Sequence, residues 1–466
     1  MSGQSPDAWR ASALFAAHAA TTTLATLQPA TRTAIAAFTF DLLGVGVGGL
    51  GSPYAARLLS TATRWGEPGG RGASIWGGGS APVANAAFCN AFLAHCQEFD
   101  AVHESAVLHP FTVVVPVLLA EAERAGMDGP TYLAACSAGV DVAVTLGVAA
   151  TSQIRFFRPA TCGLFGAIAA LGRARGLSEP GLIDAFGYGL AFAAGTMQAH
   201  VEGTPALAVQ VAHAAQSAFH AVDLAQAGMP GPLGAFDGPF GYINMFEQSH
   251  DLEAALADLG LRQRAAEVSW KPFPTGRAAH GGIDMALSLR AQGVSADTLE
   301  ALTIEAPPLI HHLVGRPLRT PLEVNYARLC LPYAAAVALI RGRVTLADFT
   351  GDALADPAIH ALASRIDVTR TDHPDPAAFT PQRAQARLRD GQVMDVRVDQ
   401  LLGSVSRPLS EEAQMEKFAA NMAFGFGDSA PDSAPDSAPV LALIANLETC
   451  ADIGALNRWA GGKALG

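Results

Sequence analysis

The chain is 466 residues long, half apolar and only 15% charged, so it is large enough for more than one domain and apolar enough to bury an extensive core. A formal net charge of −12 argues against nucleic acid and anionic membrane surfaces as partners, since both need clustered Lys and Arg; a small molecule fits better, and a few cations gathered in one cleft still admit an anionic one. Six scattered cysteines lack the paired spacing of zinc or thiol-redox motifs, which predicts buried thiols in a reducing cytoplasm.

The N-terminal stretch carries Asp7 and Arg10 and shows neither a basic start followed by an apolar run nor a small-residue cleavage signal. Apolar stretches are broken by charge or Gly before the ~20 residues of a membrane span, as by Asp41 in FTFDLLGVGVGG. The expected location is the cytoplasm. From the start to residue 266, Ala, Leu and Gly recur at helical period, which predicts a helical bundle with close helix packing. Within it GVGVGG, residues 44–49, has Gly at the first, third and sixth positions of a dinucleotide fingerprint. The segment before it reads as easily as helix, and no alternating strand pattern follows, so a Gly-rich helix crossing is expected instead. There is no Walker phosphate loop, no Gly-x-Ser-x-Gly elbow and no His-Glu-x-x-His zinc helix.

The stretch EFDAVHESAVLHP, residues 98–110, sets Glu98, Asp100, His103, Glu104 and His109 between apolar AFLAHC and PFTVVVPVLLA. One acid or one His would suit a solvated helix face; five ionisable groups in apolar surroundings do not. If the preceding helix continues, Asp100, His103 and Glu104 share a face. A zinc hydrolase would use Asp100, His103 and His109, yet the spacing matches no recognisable ligand pattern, and no metal is expected. General acid/base chemistry suits the imidazoles better, with His103 and His109 as base and acid, and Asp100 orienting a ring or acting as base itself. Farther on, RFFRPATCG carries Arg155 and Arg158 among aromatics, where a cation needs an anionic partner.

Near residue 266 the texture changes. KPFPTGRAAH, residues 271–280, brings Lys271, Arg277 and His280, with Pro272 and Pro274 holding Lys271 in extended backbone. A helix over GGIDMALSLRAQG, a strand over LEALTIEAP, helices over ARLCLPYAAAVALIRG and DPAIHALASRI, and a hairpin turning at Asp390-Gly391 predict an α+β domain over 267–402. LIHHLVGRP adds His311, His312 and Arg316. Residues 403–466 return to helical texture through EEAQMEKFAANMAF, then a DSAP-repeat linker at 428–439 and a last helix VLALIANLETC. Together Arg158, Lys271, Arg277, His280, His311 and His312 suggest a cationic cleft for a polycarboxylate, lined by imidazoles. Lys271 counts with Asp100, His103 and His109 among the catalytic candidates, and the other five among the substrate-binding ones.

The stretch from His95 to Pro110, PATCGLFGAIAALGRARGLSE, AQAGMPGPLGAFDGPFG, WKPFPTGRAAHGGID, ARLCLPYAAAVALIRG and PLSEEAQMEKF, in this order and spacing, resemble the MmgE/PrpD family, whose members include 2-methylcitrate dehydratase, cis-aconitate decarboxylase and iminodisuccinate epimerase. The resemblance implies a mainly α fold: a large all-helical domain formed by both chain ends, with a smaller α+β domain inserted. It also implies a homodimer and an interdomain active site with neither metal nor organic cofactor. Asp100 stands at the first Asp of the family's Asp-Asp pair, and His109 at the His of its His-Pro. Lys271 is the Lys of its Lys-Pro-Tyr/Phe-Pro motif, which His280 closes. Ala101, Val102 and Arg158 stand where the family tends to have Asp, Thr and His; Leu207 stands near an expected Lys, and His311 or His312 replaces a Tyr. These departures set the chain apart from an orthodox 2-methylcitrate dehydratase or cis-aconitate decarboxylase.

The implied activity is a cofactor-independent lyase or isomerase abstracting a proton α to a carboxylate on a di- or tricarboxylic acid. Dehydration is the leading expectation, with epimerisation of an iminodisuccinate-like substrate or decarboxylation as neighbours. From another class comes a non-catalytic polycarboxylate-binding homodimer. In the lyase reading, Lys271→Ala and His109→Ala each abolish turnover and leave folding intact.

Overall fold

A computed structural model describes residues 9–67, 72–375, 377–427 and 437–463. The fold is mainly α, with a small inserted α+β part. The helices Pro29–Gly48, Val83–His95, Pro110–Ala125, Gly129–Ala149, Arg158–Ala174 and Ala206–Gln226 pack on one another, and Glu411–Phe426 returns from the C-terminal side to lie along Pro29–Gly48. Pro at the first turn starts four of these helices, where its missing N–H costs nothing, and the Asp128 side chain accepts from Thr131 N to cap Gly129–Ala149. Small residues let the axes approach: a Cβ on Gly139 would lie 2.6 Å from the Gly166 carbonyl oxygen, and one on Gly166 equally near that of Gly139.

The GVGVGG stretch is helical to Gly48, and the Trp76 ring fills the space beside Gly46, where a Cβ would come within 2.2 Å of it. A Cβ on Gly44 or Gly48 would meet Phe418 or Asn421 of Glu411–Phe426, so the stretch is the expected helix crossing. Two helices, Pro29–Gly51 and Gly129–Ala149, are nevertheless long and apolar enough by length and composition to cross a membrane, contrary to the expectation that every apolar run stops short. Their apolar stretches are 72% and 94% buried inside the fold, which is the burial of core helices.

The α+β part has a four-stranded sheet in the order Ile366–Arg370, Leu299–Ala306, Gln382–Leu388, Val393–Val398. The first pair is parallel and the others antiparallel, with Ile304 opposite both Val368 and Ala384. Gln382, Ala384, Ala386 and Leu388 alternate inward, and the helices His280–Ala291 and Leu331–Arg341 cover that face. The hairpin turns where expected, with Gly391 at φ +90°. The DSAP repeat lies largely outside the described residues, and its last residues, Ala438 and Pro439, already belong to the helix Ala438–Ala445. A further helix, Gly454–Ala460, packs against Pro110–Ala125. Five cysteines are buried and Cys450 is half-buried, all as free thiols.

Candidate active site

The helix Val83–His95 ends at His95, and residues 96–109 form a loop, so the expected shared helix face of Asp100, His103 and Glu104 does not exist. The chain leaves the helix through Glu98 at φ +51°, and a second left-handed residue, Val107 at φ +52°, closes the loop. Such backbone is costly for residues with a Cβ and persists only where the surroundings hold it. They do: Lys271 Nζ donates to the Glu98 carbonyl at 3.1 Å and to its carboxylate at 3.0 Å. Val102 and Ser269 exchange backbone hydrogen bonds of 3.0 and 2.8 Å, tying the loop to the segment that carries Lys271. His109 then precedes Pro110, which opens the next helix.

Asp100 is fully buried at the centre. Its Oδ2 accepts from Thr112 Oγ1 at 2.6 Å and faces His95 Nδ1 at 2.8 Å and His109 Nδ1 at 3.1 Å. Its Oδ1 lies 3.9 Å from Lys271 Nζ with no hydrogen-bond partner among the described residues. Burial pushes this carboxyl up, but the two imidazoles and their hydrogen bonds outweigh it and hold Asp100 well below the usual range. His95 moves the other way: burial favours its neutral form, and Asp100 and Glu98 together overcome burial and raise it. Glu98, pushed up by burial, is brought down to about 2, foremost by Lys271.

His109 is different. Burial lowers its basicity and Lys271 adds to the effect, which Asp100 only partly offsets. Its Nδ1 also lies 3.0 Å from the Ala101 carbonyl oxygen, a group that can only accept. The proton therefore sits on Nδ1, and the neutral ring presents Nε2 as a lone pair. His109 lines an inner cavity of about 60 Å³ together with Glu98, Phe157, Met197, His200 and Arg277. Val107 and Ile154 are shared with an outer vestibule of about 320 Å³ reached by Arg158 and His312.

The structure thus brings Asp100, His109 and Lys271 together, sets Arg277 on the same inner cavity and places the other candidates elsewhere. His103 staples its own loop: Nδ1 accepts from Ala106 N at 3.2 Å and Nε2 meets Glu267 at 3.0 Å. Arg277 lines the inner cavity, but Nε and Nη2 donate to Glu104 at 2.9 and 2.7 Å, and Nη1 donates to the Leu402 and Trp270 carbonyls. His280 Nδ1 lies 3.3 Å from Arg277 Nη1; burial first, then Arg277 and Lys271, hold this ring far below its usual basicity. Arg158 forms a buried fork with Glu247 at 2.9 and 3.0 Å. His311 and His312 sit in the last turn of Pro308–Val314, with His312 on the vestibule.

Several members of the cluster were not singled out in the sequence as site residues: His95, Thr112 and the pair Asp41–Lys417 under it, 2.8 Å apart, whose ammonium also donates to the Phe99 carbonyl at 2.9 Å. A charge in the apolar run FTFDLL was the available signal for Asp41. His95, Asp100 and His109 offer ligand atoms within 4.8 Å of one another, close enough to hold a metal ion. The neighbouring Lys271 ammonium and the Nδ1 protons already pointed at Asp100 and Ala101 suit a hydrogen-bonded anion better than a cation.

A family model described as the MmgE/PrpD N-terminal domain matches residues 13–255, and one described as the MmgE/PrpD C-terminal domain matches residues 273–434. Cis-aconitate decarboxylase of Mus musculus is 26% identical over 458 residues, covering 91% of this chain and 88% of that protein. The enzyme of the same name from Homo sapiens is 26% identical over 419 residues, covering 86% and 82%. 2-Methylcitrate dehydratase of Cupriavidus necator is 32% identical over 165 residues, a third of each chain.

Proposed function

The chain belongs to the MmgE/PrpD family, and from that premise we propose that it is a lyase of the dehydratase or decarboxylase type that handles a proton α to a carboxylate of a di- or tricarboxylic acid. The observation that carries the reading is His109: a buried, neutral imidazole whose Nδ1 is held by Asp100 and Ala101 while the ring lines the cavity. That is the arrangement of a general base. Asp100, anchored by His95 and Thr112, fixes the tautomer and stabilises the imidazolium formed when Nε2 takes the proton. The same proton can then leave with a β-hydroxyl as water. In decarboxylation the order reverses: Nε2 must first take a proton from solvent, the bond to the carboxylate breaks to release CO₂, and the imidazolium then returns that proton to the carbanion, leaving the ring neutral again.

Dehydration of a 2-methylcitrate-like acid remains the first choice, and decarboxylation and epimerisation share its carbanion chemistry. No step in this scheme draws on a cofactor. Lys271 stands behind the cavity wall with Glu98 in front of it, so its part is to hold the loop and balance the two carboxylates. We further propose a homodimer acting in the cytoplasm. Exposed Phe240 and Met245 offer apolar contact surface, and sedimentation should give twice the 48.0 kDa chain mass, a monomer contradicting it. The activity is tested by offering cis-aconitate and 2-methylcitrate to the purified protein and following CO₂ release and alkene formation. Release of CO₂ identifies a decarboxylase, formation of an alkene a dehydratase, and neither product from any acid of this class contradicts the reading.

A further inference from the structure

The inner cavity has a second polar wall, formed by His200. This residue belongs to the short helix Gln198–Glu202 and is buried, yet it lines the same cavity as His109. Arg316 Nη2 lies 3.1 Å from His200 Nδ1, and Arg316 Nη1 donates to the His200 carbonyl at 3.0 Å. A guanidinium can only donate, so Nδ1 must be the acceptor and the proton sits on Nε2. Burial, then Arg316, brings the basicity of His200 down to about 3, which keeps the ring neutral and this tautomer fixed. Nε2 has no hydrogen-bond partner among the described residues. The cavity is therefore faced by two imidazoles of opposite polarity: His109 offers a lone pair, and His200 offers an N–H.

Charge matching points to what that N–H meets. Lys271 faces Glu98, Arg277 faces Glu104 and Arg158 faces Glu247. Arg316 has no carboxylate partner among the described residues; besides His200 it donates to the Leu313 carbonyl at 3.1 Å and lies 4.8 Å from the centre of the Tyr326 ring. Arg316 is half-buried, and Glu98, the cavity carboxylate whose field reaches it, makes its ion pair with Lys271 instead, so an anion at His200 would add the charge that Arg316 lacks. Apolar Phe157, Met197 and Leu313 make up much of the remaining lining, so the few polar groups fix orientation.

We propose that His200, held in its Nε2–H tautomer by Arg316, is the residue that binds a substrate carboxylate in the inner cavity and sets the acid's α-carbon against His109. His200 is the binding residue and Arg316 the positioning residue. The inference deepens the lyase reading and rests on it for the identity of the anion as a substrate, though the binding itself needs no turnover.

The test is calorimetric binding of propane-1,2,3-tricarboxylate to the full chain and to the His200→Phe variant, which keeps a ring and loses the donor. Loss of a hydrogen bond to a charged group should weaken binding by about tenfold or more. In Arg316→Met, the nitrogen-15 signals of His200 should change from a single Nε2–H tautomer to a mixture, with affinity falling in parallel. A merely structural role of Arg316 would not move that tautomer signal. Equal affinity in both variants and the parent overturns the proposal, as does failure of the parent to bind. Weakened binding in the variants of a protein that turns over none of the acids would sustain this proposal and sink the lyase reading alone.

Discussion

Neutral imidazole is the working form of His109, because burial, the largest influence, and the Lys271 ammonium together outweigh Asp100. A base whose basicity is depressed stays deprotonated to lower pH than a free imidazole of about 6.5. The acid limb of kcat/KM should therefore fall below pH 6.5, with activity lost as pH drops through the folded value; a limb at or above 6.5 contradicts the assignment. Lys271 leads to a different expectation. It is fully buried against two carboxylates, so Lys271→Met leaves Glu98 and Asp100 without their cation. Breaking such a pair costs about 3–5 kcal/mol, which denaturant unfolding would measure, and Glu98→Gln in the same chain should restore part of it. This replaces the expectation that Lys271 can be removed with folding intact. A Lys271→Met protein as stable as its parent would refute it.

At the scale of elements, what could be read in the sequence was whatever local pattern decides. The Asp390-Gly391 turn, the alternation of Gln382–Leu388 and the prolines that open helices are properties of a few neighbouring residues. The loop at 96–109 was not legible that way, because its course depends on Lys271, 173 residues from Glu98, holding a left-handed Glu. His95 and His200 escaped notice for the same reason: each acquires meaning only from a partner, and for His200 that partner is 116 residues away. His109 was readable because it is an ionisable group in an apolar run and stands before a Pro, as the His of the family's His-Pro does. The glycine-rich crossing offers a direct check. Gly46→Ala drives a methyl into the Trp76 ring and should cost about 1–3 kcal/mol in unfolding free energy, whereas an unchanged stability would mean that the ring moves freely aside.

On the scale of the whole molecule, a chain of net charge −12 binds an anion only if the field is local. The site meets that condition by pairing most of its buried cations internally and leaving Arg316, behind His200, without a carboxylate partner among the described residues. The His95–Asp100–His109 trio has the reach of a metal site, yet the scheme above needs none. Chelator-treated protein with metal content checked by mass spectrometry should keep its full turnover, while loss on chelation and recovery with zinc would give the trio a different role.

In this mechanism His109 moves a carbon-bound proton. That step is tested most directly by proton NMR in deuterium oxide, with metal-free protein and a panel of 2-methylcitrate, citrate, cis-aconitate and iminodisuccinate. Deuterium should enter the position α to a carboxylate of at least one acid, with the rate falling by about 10²- to 10⁴-fold in His109→Asn while the fold is kept. Binding of these acids with no exchange in the parent protein, or exchange that survives His109→Asn undiminished, would contradict it.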